Sequence, residues 1–259
     1  MEGVDFGRTS GDYGRHRAGF PPALLARLAP LGVGLPGQRV LDLGTGTGAL
    51  ARLFAAAGCT VVGLDPALPM LRQAQAMDAA PGATGIAWLR ARAEETPLRG
   101  GVFDGVAAGQ CWHWFTRPRA AAEVWRLLRP GGWALITHFD WVALRGNVVE
   151  ATEALILRHN PAWRMGGGTG VYPKWYRDLG DAGFTGLESF TFDVDVEYTH
   201  AAWRGRIRAS AGVAASLSPA QVAAFDAEHA ALLRGEFPTD PLLVPHRVFA
   251  LVAVRPPAE

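Results

Sequence analysis

Four groups of residues in this chain have types and spacings that could do chemistry. The first is Val40–Leu50, VLDLGTGTGAL, in which an apolar strand runs into Gly44, Gly46 and Gly48 and a helix follows at once. Glycine lets the backbone turn tightly and lets a ligand lie against bare peptide, with the N–H groups of the helix facing it. The second group is a pair of carboxylates, Asp42 on the strand two residues before Gly44 and Asp65 in GLDPA at the end of the next strand. The third is Ala93-Glu94, after a third strand. The fourth is Gly109–Phe115, GQCWHWF, where two indoles flank an imidazole just beyond a fourth strand. Indole and imidazole N–H groups donate to anionic oxygens, and aromatic faces attract cations and polarised methyl groups.

The glycine run also fits the dinucleotide fingerprint G-x-G-x-x-[GA], with Ala49 in the last place and Asp65 about 20 residues on. The carboxylates separate the nucleotide classes. Asp42 points at the loop, where it would repel a pyrophosphate and attract an amino group. Asp65 can accept hydrogen bonds from both hydroxyls of a ribose, and Ala93-Glu94 stands at the height expected for an adenine edge. A ligand with adenine, an unphosphorylated ribose and an ammonium group meets all three demands. S-adenosylmethionine is such a ligand; NAD fits less well.

The elements that position these residues alternate. After Pro21-Pro22, ALLARLAPLG has the apolar spacing of a short helix. Strands are expected at Arg39–Leu43, Thr60–Leu64, Ile86–Leu89, Phe103–Ala108 and Trp133–His138. Helices are expected at Ala49–Ala57, Leu68–Ala79 and Pro118–Leu128, the last ended by Pro130-Gly131-Gly132. Such alternation requires right-handed crossovers and a sheet covered on both faces. It breaks near Asp140, where two helical stretches surround a glycine-rich loop, MGGGTG (165–170). Phe190–Val196 alternates as a strand, and 199–235 reads as a helical insertion with Ser218 as N-cap and Pro219 at N1. An apolar strand at 244–256 closes the pattern. The expected fold is α/β: a Rossmann-like, doubly wound, mostly parallel seven-stranded sheet with helical lid insertions. Residues 1–38 are expected to form an N-terminal flap and helix, and 39–259 the main domain, with insertions at about 140–182 and 199–240.

Composition bounds the partners. The 259 residues are 49% hydrophobic and 19% charged, enough for a large core, and the net charge is +1. That balance gives no general pull toward nucleic acid or an anionic membrane. Lys174 is the only lysine, so the basic groups are nearly all guanidinium. Two cysteines, Cys59 and Cys111, supply neither a disulfide framework nor a four-ligand zinc site. The expectation is a cytoplasmic protein that uses no metal.

In their order, VLDLGTGTG, GLDPALPML, RAEETPLRGGVFDGV and RLLRPGGWALI resemble the class I S-adenosylmethionine-dependent methyltransferases. The resemblance is strong over about residues 38–138. The opening YGRHRAGFP and closing PHRVFALVA are similar to a bacterial small-molecule subgroup that includes trans-aconitate-methyltransferase-like proteins. The resemblance implies a methyltransferase that converts S-adenosyl-L-methionine to S-adenosyl-L-homocysteine while methylating a small molecule. It places Asp42, Gly44, Thr45, Gly46 and Gly48 around the methionine part and ribose, and Asp65 on the ribose. Pro66 and Met70 pack on ribose and adenine, Ala93 and Glu94 follow the adenine edge, and Gln110 touches the cofactor through its backbone. Arg92 stands where relatives often carry Asp or Thr, so the Ala93 backbone is expected to meet the adenine amino group.

GQCWHWF follows the fourth strand, next to the first, at the carboxyl end of the sheet where ligands of such folds bind. His113 and Trp114 are therefore the candidates to position the acceptor. Trp112, His138, Tyr13, His16 and Arg17 are candidates for the substrate side or a lid. Similar His-Trp motifs lie beside the accepting carboxylate in carboxylate methyltransferases of this superfamily, so the resemblance implies carboxylate O-methylation. A carboxylate is ionised at neutral pH and needs no general base. Arg15, Arg17, Arg204, Arg206 and Arg208 are candidates to orient acidic groups, with a solvated basic face as the other reading. N-, C- or hydroxyl O-methylation, and S-adenosylmethionine binding without catalysis, stay open.

Overall fold

A computed structural model describes residues 18–78 and 85–257. Tyr13, His16, Arg17 and the rest of the expected flap lie outside the described residues. Five strands, β1 (Arg39–Leu43), β2 (Thr60–Leu64), β3 (Ala87–Leu89), β4 (Phe103–Gly109) and β5 (Leu128–Trp141), are followed by β6 (Thr185–Tyr198) and β7 (Leu242–Val254). They form one sheet in the order β3-β2-β1-β4-β5-β7-β6. The first five pair in parallel, with Leu43 opposite both Leu64 and Ala108. Reciprocal backbone bonds from Gly131 N to Arg255 O and from Arg255 N to Gly132 O, each 2.8 Å, pair β7 with β5. Farther along, Val142 N meets Pro245 O, so the numbering falls on β7 as it rises on β5 and the pairing is antiparallel. The expected mostly parallel seven-stranded sheet is present.

The order reverses at β1, which has β2 on one side and β4 on the other. Ligand crevices of open α/β sheets lie at the carboxyl ends of strands beside such a reversal. α1 (Ala23–Leu28) precedes the first strand, and the crossover helices are α2 (Ala49–Ala56), α3 (Leu68–Asp78) and α4 (Arg117–Leu127). Small residues let them approach the sheet: Ala51, Ala74, Ala120 and Ala121 are buried. Gly105 on β4 is demanded by Trp133 on β5, whose ring would stand 2.0 Å from any Cβ there.

Contacts group the described residues into two compact units. One holds Gly19–Phe139, Tyr172–Thr191 and the chain from Val248. Its core joins Leu41, Leu43, Val106, Ile136 and Phe249 with Trp175, Leu179 and Phe184. The other holds Ala18, Asp140–Val171 and Phe192–Arg247. It contains α5 (Val148–His159), α7 (His200–Arg208) and α8 (Pro219–Glu236), packed on Trp203, Ile207, Phe225 and Leu233. Ser218 and Gln221 close the expected cap of α8 as a reciprocal capping box. α6 (Lys174–Asp181) buries Trp175 and Leu179 in the core of the sheet and so groups with the first of these units.

Candidate active site at the carboxyl ends of the strands

The turn after β1 is built on glycines in the left-handed region. Gly44 has φ +61° and Gly48 has φ +83° as the residue preceding α2. At Gly44 a Cβ would stand 2.9 Å from the Cβ and Sγ of Cys111, and at Gly48 one would stand 2.4 Å from the Trp88 indole. Nothing lies within 4 Å of a Cβ built on Gly46, so the peptide there faces open space. Arg52 of α2 supports the loop, donating to Thr47 O at 2.5 Å and to Asp78 at 3.3 Å.

Asp42 and Asp65 come to the same edge because β1 and β2 run in parallel register. Asp42 is 1% exposed. Its Oδ2 accepts from the Thr45 hydroxyl at 2.6 Å, while Oδ1 meets no donor among the described residues. Burial pushes its pKa up to about 7, against the opposing Thr45 hydroxyl and the backbone N–H of Ala51. Asp65 accepts from Gly46 N at 2.9 Å and from Ala67 N at 2.8 Å. Burial also raises its pKa, and the two backbone donors oppose the shift. A carboxylate has about four acceptor sites, so Asp65 retains room for two more donors.

Met70 is buried beneath the start of α3, and Pro66 is exposed. Ala93 is buried. The Glu94 side chain is engaged elsewhere: its Oε1 accepts from Thr116 N at 2.9 Å, at the N-terminus of α4. Any adenine contact from this stretch therefore falls to backbone.

Gln110 follows β4 with φ +57°, the left-handed region that a residue with a side chain seldom enters. Its N–H donates to Thr137 O at 2.9 Å and its side-chain amide donates to Phe139 O. Strain of this kind persists where surroundings hold it, often at functional sites. A 3-10 turn, Trp112–Trp114, follows, anchored by the Cys111 thiol donating to Leu43 O at 3.0 Å. Trp112 points into the core. It is 1% exposed and its indole N–H donates to Asp178 Oδ2 at 3.0 Å, which Arg117 also holds at 3.2 Å. Packing and Asp178 thus use both its face and its donor. His113 and Trp114 are half-buried, with ring centroids 4.6 Å apart.

His138 is buried 5.4 Å from the His113 ring. Tyr172 and Trp175 pack against it at 4.6 and 4.7 Å and stack on each other at 3.8 Å. Neither was singled out in the sequence. The signal was YPKW, with proline opening a helix and two aromatic residues three positions apart, but nothing local links it to His138. Among the described residues no cluster of three or more His, Cys, Asp or Glu could hold a metal ion. No helix among them is long and apolar enough to cross a membrane.

A seven-stranded sheet with this order, a glycine turn after β1 and a carboxylate at the end of β2 define a class I methyltransferase fold. The buried, donor-free oxygen of Asp42 suits an ammonium group, Asp65 suits a ribose diol, and the open face of Gly46 suits a ligand laid on peptide. The residues present thus fit S-adenosylmethionine. The family described as a methyltransferase domain matches residues 41–136. An uncharacterized methyltransferase of Mycobacterium tuberculosis is 40% identical over 129 residues, 50% of this chain and 49% of that protein, so the chain spans about half the length of such relatives. The malonyl-[acyl-carrier protein] O-methyltransferase of Pseudescherichia vulneris is 35% identical over 183 residues, 65% of this chain and 69% of that protein. Among solved structures, YcgJ of Bacillus subtilis superposes with a TM-score of 0.58 at 17% identity, covering 92% of this chain and 98% of that one. Phosphoethanolamine N-methyltransferase 2 of Haemonchus contortus, solved with S-adenosylmethionine, gives 0.55 at 21% identity over 97% and 56%. The chain belongs to the S-adenosylmethionine-dependent methyltransferase family.

Proposed function

We propose that this protein methylates a carboxylate oxygen of a small organic acid, using S-adenosylmethionine held at the ends of β1 and β2. The carrying observation is the buried Asp42 carboxylate with an oxygen that meets no donor, beside Asp65 on the glycine turn. Bound there, S-adenosylmethionine supplies an electrophilic sulfonium methyl. Asp42 holds the ammonium end, and Asp65 holds the ribose. Gly44, Thr45, Gly46 and Gly48 line the methionine part and ribose, with Pro66, Met70, Ala93, Glu94 and Gln110 as the remaining contacts. The chain's work is alignment, since in-line transfer gains up to about 7–11 kcal/mol from positioning alone. Half-buried His113 and Trp114 orient the acceptor by N–H donation and exclude water from it. A carboxylate needs no base, and the malonyl-[acyl-carrier protein] O-methyltransferase relative supports oxygen as the accepting atom.

One observation favours a second reading. His113 and His138 form a pair of imidazoles 5.4 Å apart, able to take a proton from a hydroxyl acceptor. Incubation with methyl-labelled cofactor and a panel of carboxylic acids and phenols separates the readings. Label in esters that release methanol in alkali is the expected result. Label only in alkali-stable products overturns carboxylate methylation, and no transfer to any acceptor favours binding without catalysis.

A further inference from the structure

The motif WRGRIR on α7 places three arginines within five residues. Arg204 and Arg208, four apart, share a helix face and grip one carboxylate, Asp226 of α8. Arg204 meets it through Nε at 3.0 Å and through Nη2, and Arg208 through Nη1 at 2.8 Å. Arg206, two residues on, is turned about 200° away at the helical repeat. Its guanidinium lies over the Trp141 ring, 4.6 Å from the centroid. Among the described residues no acidic oxygen lies within ion-pair distance of it; the Asp140 carboxylate acts on it from farther away, and the Tyr198 phenol lies beside it.

The ring beneath Arg206 is fixed on two sides. Trp141 Nε1 donates to Glu153 Oε1 at 2.7 Å, and the other oxygen of this buried carboxylate accepts from Gly167 N at 2.7 Å. Trp203 packs edge-on to Trp141 at 5.6 Å and 78°, and Tyr198 packs on Trp203 at 5.3 Å. A guanidinium held over an aromatic face by cation–π attraction still carries its N–H fork, the group that meets a carboxylate through two parallel bonds. Burial lowers the Arg206 pKa from its ordinary value, yet arginine stays charged, so the unit carries a desolvated cation over the Trp141 ring.

We propose that Arg206, lying over the Trp141 ring with Tyr198 beside it, is an anion site that takes a carboxylate of a small organic acid. The site stands on residues of one unit and does not depend on the methyltransferase reading. The test is calorimetric titration of the full chain with malonate, succinate and glutarate, with malonamide and inorganic phosphate as controls. At least one dicarboxylate is expected to bind, malonamide is not, and Arg206→Gln should weaken the dicarboxylate tenfold or more. Affinity for S-adenosylhomocysteine should stay within twofold in that variant. Arg206→Lys keeps the charge without the fork and should lose most of the same affinity. If the variants fold poorly, the Arg206 Nε–H resonance of the wild-type chain should shift on dicarboxylate titration. No dicarboxylate binding, equal binding in Arg206→Gln, or tighter binding of phosphate overturns the proposal. Dicarboxylate binding through Arg206 in a protein indifferent to S-adenosylhomocysteine supports this site and sinks the methyltransferase reading.

Discussion

The turn after β1 and the turn after β4 stand at the ends of neighbouring strands, yet they are built on different principles. At the first, conformation does the work: left-handed glycines, a buried carboxylate with an unused oxygen, and a second carboxylate held by two backbone N–H groups. At the second, side chains do the work: Cys111 and Trp112 anchor inward while His113 and Trp114 stay half-buried against rings brought from elsewhere in the chain. A backbone-built site suits a ligand that never changes, such as a cofactor. A ring-built site can be altered one side chain at a time, which suits an acceptor that differs between relatives.

The comparison breaks first at Gly44. Alanine there must take a left-handed conformation and meet Cys111 at 2.9 Å. Strain and overpacking of this kind cost about 1–3 kcal/mol each, so chemical denaturation should show a loss of roughly 2–6 kcal/mol together with loss of S-adenosylhomocysteine binding. Full stability in Gly44→Ala would show that the turn does not require glycine. Asp65→Ala should weaken S-adenosylhomocysteine by about 1–3 kcal/mol for its lost hydrogen bonds, read by calorimetry. Unchanged affinity would remove Asp65 from the site.

On the aromatic side the expected pattern is inverted. Trp114→Ala or His113→Ala should lower turnover about tenfold or more, as misplacement near a reacting centre does, with cofactor affinity within twofold. If neither changes turnover, the segment is packing only. Trp112→Phe keeps an aromatic ring but loses the bond to Asp178 and part of the buried indole, so it should cost about 1.5–3 kcal/mol of stability for the bond, with a further loss for the cavity, and leave turnover per folded molecule unchanged. A turnover defect there would return Trp112 to the acceptor side.

The backbone-built half was the legible half. Asp42, Gly44–Gly48 and Asp65 sit within one β-α-β unit, so spacing along the chain reports spacing in the fold. The ends of β1 to β4 were also legible to within one residue, whereas β6 begins at Thr185 rather than Phe190, and β5 runs from Leu128 through Pro130-Gly131-Gly132, where pairing of Gly131 and Gly132 with Arg255 continues the strand across an apparent breaker. The aromatic half was legible only in part. GQCWHWF could be set at a strand end, but alternation on a turn does not say which indole points inward, and Trp112 is fixed by Asp178, 66 residues away. The left-handed Gln110 gave no sign either, because its conformation is imposed by Thr137 and Phe139 on β5.

The central claim is that Asp42 is a buried carboxylate waiting for a cation, and its titration tests that claim most directly. Its pKa of about 7 in the free protein lies above the ordinary value of 3.8, so between about pH 4 and 7 the folded chain binds a proton that the unfolded chain does not. Asp42 therefore makes the ligand-free protein less stable as pH rises through that window. An ammonium partner draws the proton off. Calorimetric titration with S-adenosylhomocysteine in buffers of different ionisation enthalpy should show proton release near pH 6–7, affinity rising from pH 5.5 to 7.5, and both effects absent in Asp42→Asn. Binding without proton release over that range, or no binding at all, would contradict it.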